Sequence, residues 1–99
     1  MQWKRRKDAN HKTIMAAFSD HPACDVLDLY QVGGGCPDLL VAIQGAHGST
    51  NVLVEIKNGD KATYTAAQDA FNARWRGPRE TVRDMAGVVN LIAAYGGKR

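Results

Sequence analysis

Apolar residues recur at helical spacing in three parts of the chain. Residues 9–19 carry one apolar stripe, made of Ile14, Met15 and Phe18. A second helix is predicted to begin at Thr65, because Thr65 and Gln68 fit the S/T-x-x-E/Q capping box. The third helix has Asp84 as its candidate N-cap. Its apolar residues follow the i, i+3, i+4, i+7 pattern and are Val88, Leu91, Ile92 and Tyr95.

Four shorter segments have the patterns of β-strands, either alternating or apolar throughout. They are residues 26–30, 38–44, 51–57 and 80–83. The three glycines at 33–35 predict a flexible connection after the first strand. The polar, glycine-bearing segment 45–50 predicts a loop between the second and third strands.

This succession predicts an α/β domain with the element order α-β-β-β-α-β-α. The first three strands can form an antiparallel meander, and the fourth can return parallel through the second helix. We therefore expect a mixed four-stranded sheet flanked by helices. A length of 99 residues predicts one domain, divided into a basic arm over residues 1–8 and a folded domain over residues 9–97.

Positive charge is concentrated at the N-terminus. The net charge is +3, but residues 1–12 hold five bases and one acid, whereas the rest of the chain holds eight bases and nine acids. Such an arm suits contacts with phosphates, and a solvated tail explains it equally well. The candidate nucleic-acid contacts in the arm are Lys4, Arg5, Arg6 and Lys7.

Cysteine content and hydropathy narrow the class of protein further. Cys24 and Cys36 lack the partners that a zinc site needs, so we expect small buried or semi-buried thiols in a reducing compartment. No apolar run reaches the roughly 18 residues of a membrane span, and no apolar segment of a secretory signal follows the basic N-terminus. These features predict a cytoplasmic protein without a membrane partner.

Two acids and a lysine stand on the apolar strands. Side chains alternate along a strand, so Glu55 and Lys57 share one face of segment 51–57. If the hairpin turns near residues 47 and 48, Asp38 lies opposite Lys57. Leu40 then lies opposite Glu55. Asp38 and Glu55 become diagonal neighbours, with Cβ atoms roughly 7 Å apart.

Two carboxylates at that spacing can share one Mg²⁺ or Mn²⁺ ion. Phosphodiester hydrolysis needs charge stabilised on the phosphoryl oxygens and a nucleophile made from water, and a hard divalent cation supplies both. Asp38 and Glu55 are the candidate carboxylate ligands, and the backbone carbonyl of Ile56 is a candidate third ligand. Lys57 is placed to orient the attacking water. The other interpretation is a solvent-facing Glu-x-Lys charge pair.

The spacing of these residues resembles the PD-(D/E)XK nuclease superfamily. Pro37-Asp38 is followed, 17 residues after Asp38, by Glu55-Ile56-Lys57. The similarity is greatest to small stand-alone VRR-NUC and Holliday-junction-resolvase-like proteins of phages and bacteria. The segments that carry it are residues 8–11, 32–41, 55–59, 65–68 and 82–83.

The resemblance implies a restriction-endonuclease-like core in the cytoplasm of a bacterial or phage-infected host cell. It implies Asp38 and Glu55 as metal ligands, Lys57 as the catalytic lysine, and Gln68 as a residue beside the site. The capping box explains Gln68 equally well. Many relatives carry a metal-assisting glutamate on the first helix, where this sequence has His11. His11 is a candidate phosphate contact or a surface residue.

The resemblance and the small size together imply a homodimer that cuts DNA, with branched or junction DNA as a candidate substrate. The rival interpretation is a non-catalytic nucleic-acid-binding or phage structural protein that retains the nuclease fold. Three arginines cluster near the end of the second helix, Arg74, Arg76 and Arg79. They are candidate phosphate contacts, or they complement the C-terminus of that helix. Phe71 and Trp75, which share a helix face, are expected in the core.

Overall fold

The order of the elements matches the predicted one. The computed structural model describes residues 9–59 and 63–96, and within them three helices and four strands follow as α-β-β-β-α-β-α. The helices are α1 (Ala9–Ser19), α2 (Ala66–Arg74) and α3 (Met85–Gly96). The strands are β1 (Cys24–Asp28), β2 (Leu39–Gly45), β3 (Gly48–Ile56) and β4 (Arg79–Val82). The candidate contacts Lys4, Arg5, Arg6 and Lys7 lie outside the described residues.

The four strands form one mixed sheet in the order β1-β2-β3-β4. β1 and β3 both pair antiparallel with β2, and β4 pairs parallel with β3 after the chain has passed through α2. The predicted meander and its parallel return strand are therefore confirmed. Within the described residues, no helix has both the length and the apolar composition needed to cross a membrane.

The strand bounds differ from the prediction mainly around the β2–β3 hairpin. β3 begins at Gly48, so most of the segment predicted as a loop is strand, and Ala46 and His47 alone form the turn. Gly48 has φ +124°, a conformation that L side chains rarely adopt. The first residues of β3 are polar because they are exposed, and this is why they resembled a loop. β1 lies two residues before the predicted segment 26–30.

The apolar core lies on one face of the sheet, beneath α1 and α3. Ile14 and Phe18 of α1 are fully buried there, which confirms the predicted stripe of the first helix. The other members that the strands and α3 contribute are Cys24, Leu39, Val41, Ile43, Val52, Val54, Ile56, Val82, Val88 and Leu91. Removal of these side chains from water is the main stabilising contribution to the fold.

α2 contacts the opposite face of the sheet and begins as predicted. The Thr65 hydroxyl accepts a hydrogen bond from Gln68 N–H (3.2 Å), and Gln68 Oε1 accepts one from Thr65 N–H (2.9 Å), so the capping box is confirmed. Phe71 is buried, but Trp75 is 46% exposed and stacks on Phe71. The predicted core position of Trp75 is wrong because α2 ends at Arg74, before the stripe reaches it.

The two cysteines have the predicted environments. Cys24 is buried in the core and Cys36 is half-buried, and both are free thiols. Burial is the largest reason why the pKa of Cys24 is raised, and the neighbouring Asp25 carboxylate adds to it. Such a thiol is protonated and weakly reactive, as expected for a small core residue.

Candidate metal and phosphodiester site

The register of the β2–β3 hairpin sets the positions of the two acids. Leu40 pairs with Leu53, and Leu39 pairs with Val54. The predicted pairing of Leu40 with Glu55, and of Asp38 with Lys57, is wrong by two residues because the turn lies earlier than predicted. A slip of two keeps every side chain on its predicted face. Asp38 precedes Leu39 and Glu55 follows Val54, so in these antiparallel strands the two acids become cross-strand neighbours rather than diagonal ones.

Asp38 is held in place by the backbone of two neighbouring strands. Its side chain is 5% exposed, and Oδ2 accepts a 2.8 Å hydrogen bond from Ile56 N–H. Its own carbonyl accepts a hydrogen bond from Leu29 N–H (2.8 Å). The N–H and C=O groups of one strand residue point to the same side, so the Ile56 carbonyl is also directed toward Asp38. The carboxylate of Asp38 and the carbonyl oxygen of Ile56 are therefore close to each other, where β2 begins and β3 ends.

Glu55 is the most deeply buried acid of the site. Its side chain is 2% exposed, and Oε2 accepts a 2.9 Å hydrogen bond from Gln68 Nε2. Burial and then the nearby Asp38 carboxylate raise the pKa of Glu55 to about 8, against a smaller opposing effect of Lys57 and Arg79. Oε1 is buried and accepts no hydrogen bond from the residues that the structure describes. The interpretation of Glu55 and Lys57 as a solvent-facing charge pair is therefore wrong.

Gln68 joins α2 to both charged residues of β3. Its Oε1 accepts a hydrogen bond from Lys57 Nζ (2.7 Å) as well as the capping bond from Thr65 N–H, while its Nε2 donates to Glu55. The two interpretations of Gln68, as a cap and as a residue beside the site, thus hold for the same side chain. The ammonium of Lys57 is fixed next to the buried carboxylates by this one amide.

α1 supports the site from behind. Asn10 Nδ2 donates to the carbonyls of Lys57 (3.3 Å) and Arg83 (3.4 Å), which ties the ends of β3 and β4 together. His11 is 4% exposed, with Nε2 3.5 Å from Asp28 Oδ1 and its ring edge-on to Tyr30. The interpretation of His11 as a surface residue is therefore wrong. Asp28 pairs with Leu39, whose side chain lies in the core, so Asp28 is on the core side of the sheet. His11, which contacts Asp28, therefore lies on that side too, away from Glu55.

The glycine segment 33–35 forms one wall next to the site. All three glycines have positive φ, between 65° and 80°. A Cβ atom on Gly35 would lie 2.1 Å from the carbonyl oxygen of Ala67, so only glycine allows this approach to α2. A cavity of about 260 Å³ lies between the glycines, Cys36, Thr65 and Gln68. Gln68 thus lines this cavity and is also hydrogen-bonded to Glu55.

The basic residues divide into two groups by position. Arg74 and Arg76 are exposed near the end of α2, and the Arg74 guanidinium lies 5.0 Å from the centre of the Phe71 ring. Arg79, by contrast, is half-buried and lies on the face of β4 that adjoins Glu55. The sequence indicated Arg79 only as a member of the arginine cluster near the end of α2, and it did not indicate Tyr64. The parallel pairing of β3 with β4 is what brings Arg79 to the site.

The donor set for a metal ion is small. Among the described residues, no group of three or more His, Cys, Asp and Glu side chains is arranged to hold an ion. Asp38 and Glu55 are a pair, so a divalent ion there would need oxygens from the Ile56 backbone, water or substrate. Comparisons of the chain with known protein families, with curated proteins and with solved structures found no match.

Proposed function

We propose that this protein is a metal-dependent nuclease that hydrolyses phosphodiester bonds in DNA, built on a restriction-endonuclease-like domain of the PD-(D/E)XK type. The observation that carries the proposal is the buried pair of Asp38 and Glu55, with Lys57 held beside it by Gln68. Charged groups are costly to bury next to an apolar strand, and their clustering here is typical of a site that uses them.

The two carboxylates fit a divalent cation. Oε1 of Glu55 is buried and has no hydrogen-bond partner in the described part of the chain. The raised pKa of Glu55 reflects burial and repulsion from Asp38. A cation between the two side chains would relieve both effects, because it ligates the ionised form. Mg²⁺ or Mn²⁺ accepts one or two carboxylates together with backbone and water oxygens, which matches Asp38, Glu55 and the Ile56 carbonyl.

The bound ion would polarise the scissile phosphate and lower the pKa of a water molecule, which is the chemistry that this reaction requires. Lys57 would hold the attacking water and donate to a phosphoryl oxygen as negative charge builds there. Gln68 keeps the lysine ammonium in place with its 2.7 Å hydrogen bond. The hydrogen bond from Ile56 N–H fixes the position of the Asp38 carboxylate. These contacts preorganise the site before substrate arrives.

One observation favours the rival function of a non-catalytic DNA-binding protein. α1 has no acid directed at the site within the described residues, and His11 at that place is buried against Asp28 on the other face. A nuclease of this kind would work with a single ion held by two carboxylates. A homodimer would present two such sites to a two-stranded or branched substrate, which is why we include branched DNA in the test.

A cleavage assay tests the proposal. Wild-type protein would be incubated with labelled linear, flapped and four-way DNA in the presence of Mg²⁺, Mn²⁺ or a chelator. We expect metal-dependent cutting that is lost in Glu55→Gln, since this change removes a ligand but preserves the shape of the side chain. Asp69→Asn is the matched control, because Asp69 is an exposed acid on α2.

Cutting by wild type and Asp69→Asn, with none by Glu55→Gln, would support the nuclease. Well-folded wild-type protein that binds the DNA panel but cuts none of it with either metal would contradict the nuclease and favour the binding protein. Sedimentation of the protein alone and with four-way DNA would show whether it acts as a dimer.

A further inference from the structure

β4 brings a second cation to the sheet face that carries Glu55. The parallel register places Arg79 opposite Leu53 and Thr81 opposite Glu55. Side chains alternate along each strand, so Arg79 and Thr81 share the face of Glu55 and lie beside the proposed metal ligands. Arg79 also acts against the rise in the pKa of Glu55, as expected for a neighbouring positive charge.

Two nitrogens of Arg79 have no hydrogen-bond partner among residues 9–59 and 63–96. Nε and Nη2 are buried, and neither makes a hydrogen bond with any group in the described part of the chain. Their N–H bonds run parallel along one edge of the guanidinium, which is the edge that matches two oxygens of a carboxylate or phosphate. Leaving charged donors buried and unpaired costs free energy. This edge is therefore suited to an oxyanion that the described residues do not supply.

The surroundings of Arg79 distinguish it from an ordinary surface arginine. Its Cζ lies 5.1 Å from the centre of the Tyr64 ring, and Lys57 Nζ lies 5.3 Å from the same ring. The Tyr64 hydroxyl shares a hydrogen bond with Thr81 on β4, which fixes the ring. Two cations thus contact one aromatic side chain next to the two buried acids. The site has an acidic half for a cation and a basic half for an anion.

We propose that Arg79 binds a phosphate group of the DNA substrate through its Nε and Nη2 edge, on the Lys57 side of the site. The identity of the ligand rests on the proposed nuclease function. Both nitrogens are shielded from water in the free protein, so the guanidinium must turn toward the incoming phosphate. Arg79 is half-buried and borders the surface, which allows that movement without unfolding β4.

DNA binding in the presence of a chelator tests this role separately from cleavage. Affinity for the linear, flapped and four-way DNA would be measured at several salt concentrations for wild type, Arg79→Gln and Arg79→Lys. We expect Arg79→Gln to bind roughly tenfold or more weakly and to reduce the salt slope by about one. Arg79→Lys should keep the slope, because it keeps the charge, but lose part of the affinity with the bidentate edge.

Lys12→Gln is the charge-matched comparison, because Lys12 is an exposed cation of the N-terminal basic cluster, on α1 and on the opposite side of the sheet. It measures the effect of losing one positive charge away from the site, and Arg79→Gln should weaken binding by more than this. Circular dichroism and thermal melting would establish that each variant is folded. Should Arg79→Gln fail to fold, Arg79→Lys alone decides, because an unchanged affinity in that variant contradicts bidentate binding.

The outcomes separate this proposal from the proposed nuclease function. Binding by Arg79→Gln with wild-type affinity and salt slope would overturn the role of Arg79, as would a wild type that binds none of the DNA. Arg79→Gln could instead need a higher metal concentration for cleavage while it binds DNA in chelator as wild type does. Arg79 would then only support Glu55, and this result would also overturn the proposed phosphate contact. A wild type that binds through Arg79 but never cuts would support this proposal while contradicting the nuclease.

Discussion

The two faces of the sheet differ in what they bury. The face beneath α1 and α3 buries only apolar side chains of β2 and β3 at its centre, with Val41 and Val52 completely inaccessible. The face toward α2 buries Glu55, Gln68 and most of Asp38, linked by hydrogen bonds rather than by apolar packing. We infer that the first face supplies the stability that lets the second hold polar groups at a free-energy cost.

The same substitution on each face gives the largest expected contrast. Phe18→Ala removes a completely buried ring from the core and should lower the free energy of unfolding by about 3–5 kcal/mol. Phe71→Ala on α2 should cost clearly less, because its ring stacks on the half-exposed Trp75 and on Arg74. Urea unfolding of both variants, monitored by circular dichroism, measures the difference.

The loss of cleavage activity should follow the reverse order, with the larger loss in Phe71→Ala. Phe71→Ala loosens α2, which carries Gln68, so cleavage per folded molecule should fall further than in Phe18→Ala. Equal losses of stability in the two variants would contradict the division between a stabilising face and a functional face.

A smaller effect is expected where the glycine segment meets α2. Gly35→Ala forces a Cβ atom to within 2.1 Å of the Ala67 carbonyl oxygen, so α2 must shift and carry Gln68 away from Glu55. Gly34→Ala is the matched control, because it has positive φ (65°) but nothing within 4 Å of its new Cβ. Both substitutions place an alanine in the left-handed backbone region, which costs about 1–2 kcal/mol. Only Gly35→Ala adds the clash with Ala67.

We therefore expect cleavage to be lost in Gly35→Ala and largely kept in Gly34→Ala, as measured by single-turnover assays on the preferred DNA. Chemical denaturation would show a greater loss of stability for Gly35→Ala. Indistinguishable variants would mean that the close approach of the glycine segment to α2 does not position Gln68.

The features that could be predicted from the sequence are those set by local pattern. The bounds of α1 and the capping box of α2 depend on residues within one or two turns, and both are confirmed. The shared face of Glu55 and Lys57 follows from the alternation of side chains along a strand. It is therefore unaffected by the error of two residues in the predicted register. A register error of one residue would have placed Asp38 on the wrong face.

The features that were missed depend on contacts between distant parts of the chain. Arg79 was indicated only as one of three clustered arginines, and its place beside Glu55 depends on the register of the parallel pairing of β4 with β3, which no local pattern fixes. His11 is buried because Asp28 and Tyr30 reach it from another strand and the segment that follows. Trp75 is exposed because α2 ends at Arg74, one residue before it. Helical spacing alone did not indicate that end.

The most gradual expected effect is the pH dependence that the functional face gives to the stability of the metal-free protein. Burial and the Asp38 carboxylate raise the pKa of Glu55 from 4.5 to about 8, so between these values the folded state binds more protons than the unfolded state. The contribution of Glu55 to stability is therefore complete below pH 4.5 and is lost as the pH rises through about 8. The loss is at most about 1.4 kcal/mol per pH unit.

Glu55→Gln isolates this contribution, because glutamine cannot ionise and no other charge is changed. In chelator, the free energy of unfolding of wild type relative to Glu55→Gln should fall between pH 5 and pH 8. Mg²⁺ should reverse the trend for wild type alone, since the ion binds the ionised carboxylate and protons compete with it. If urea unfolding gave a difference between the two proteins that rose with pH in chelator, the repulsion between Asp38 and Glu55 would be absent. The acidic half of the site would then lack the property that favours a cation there.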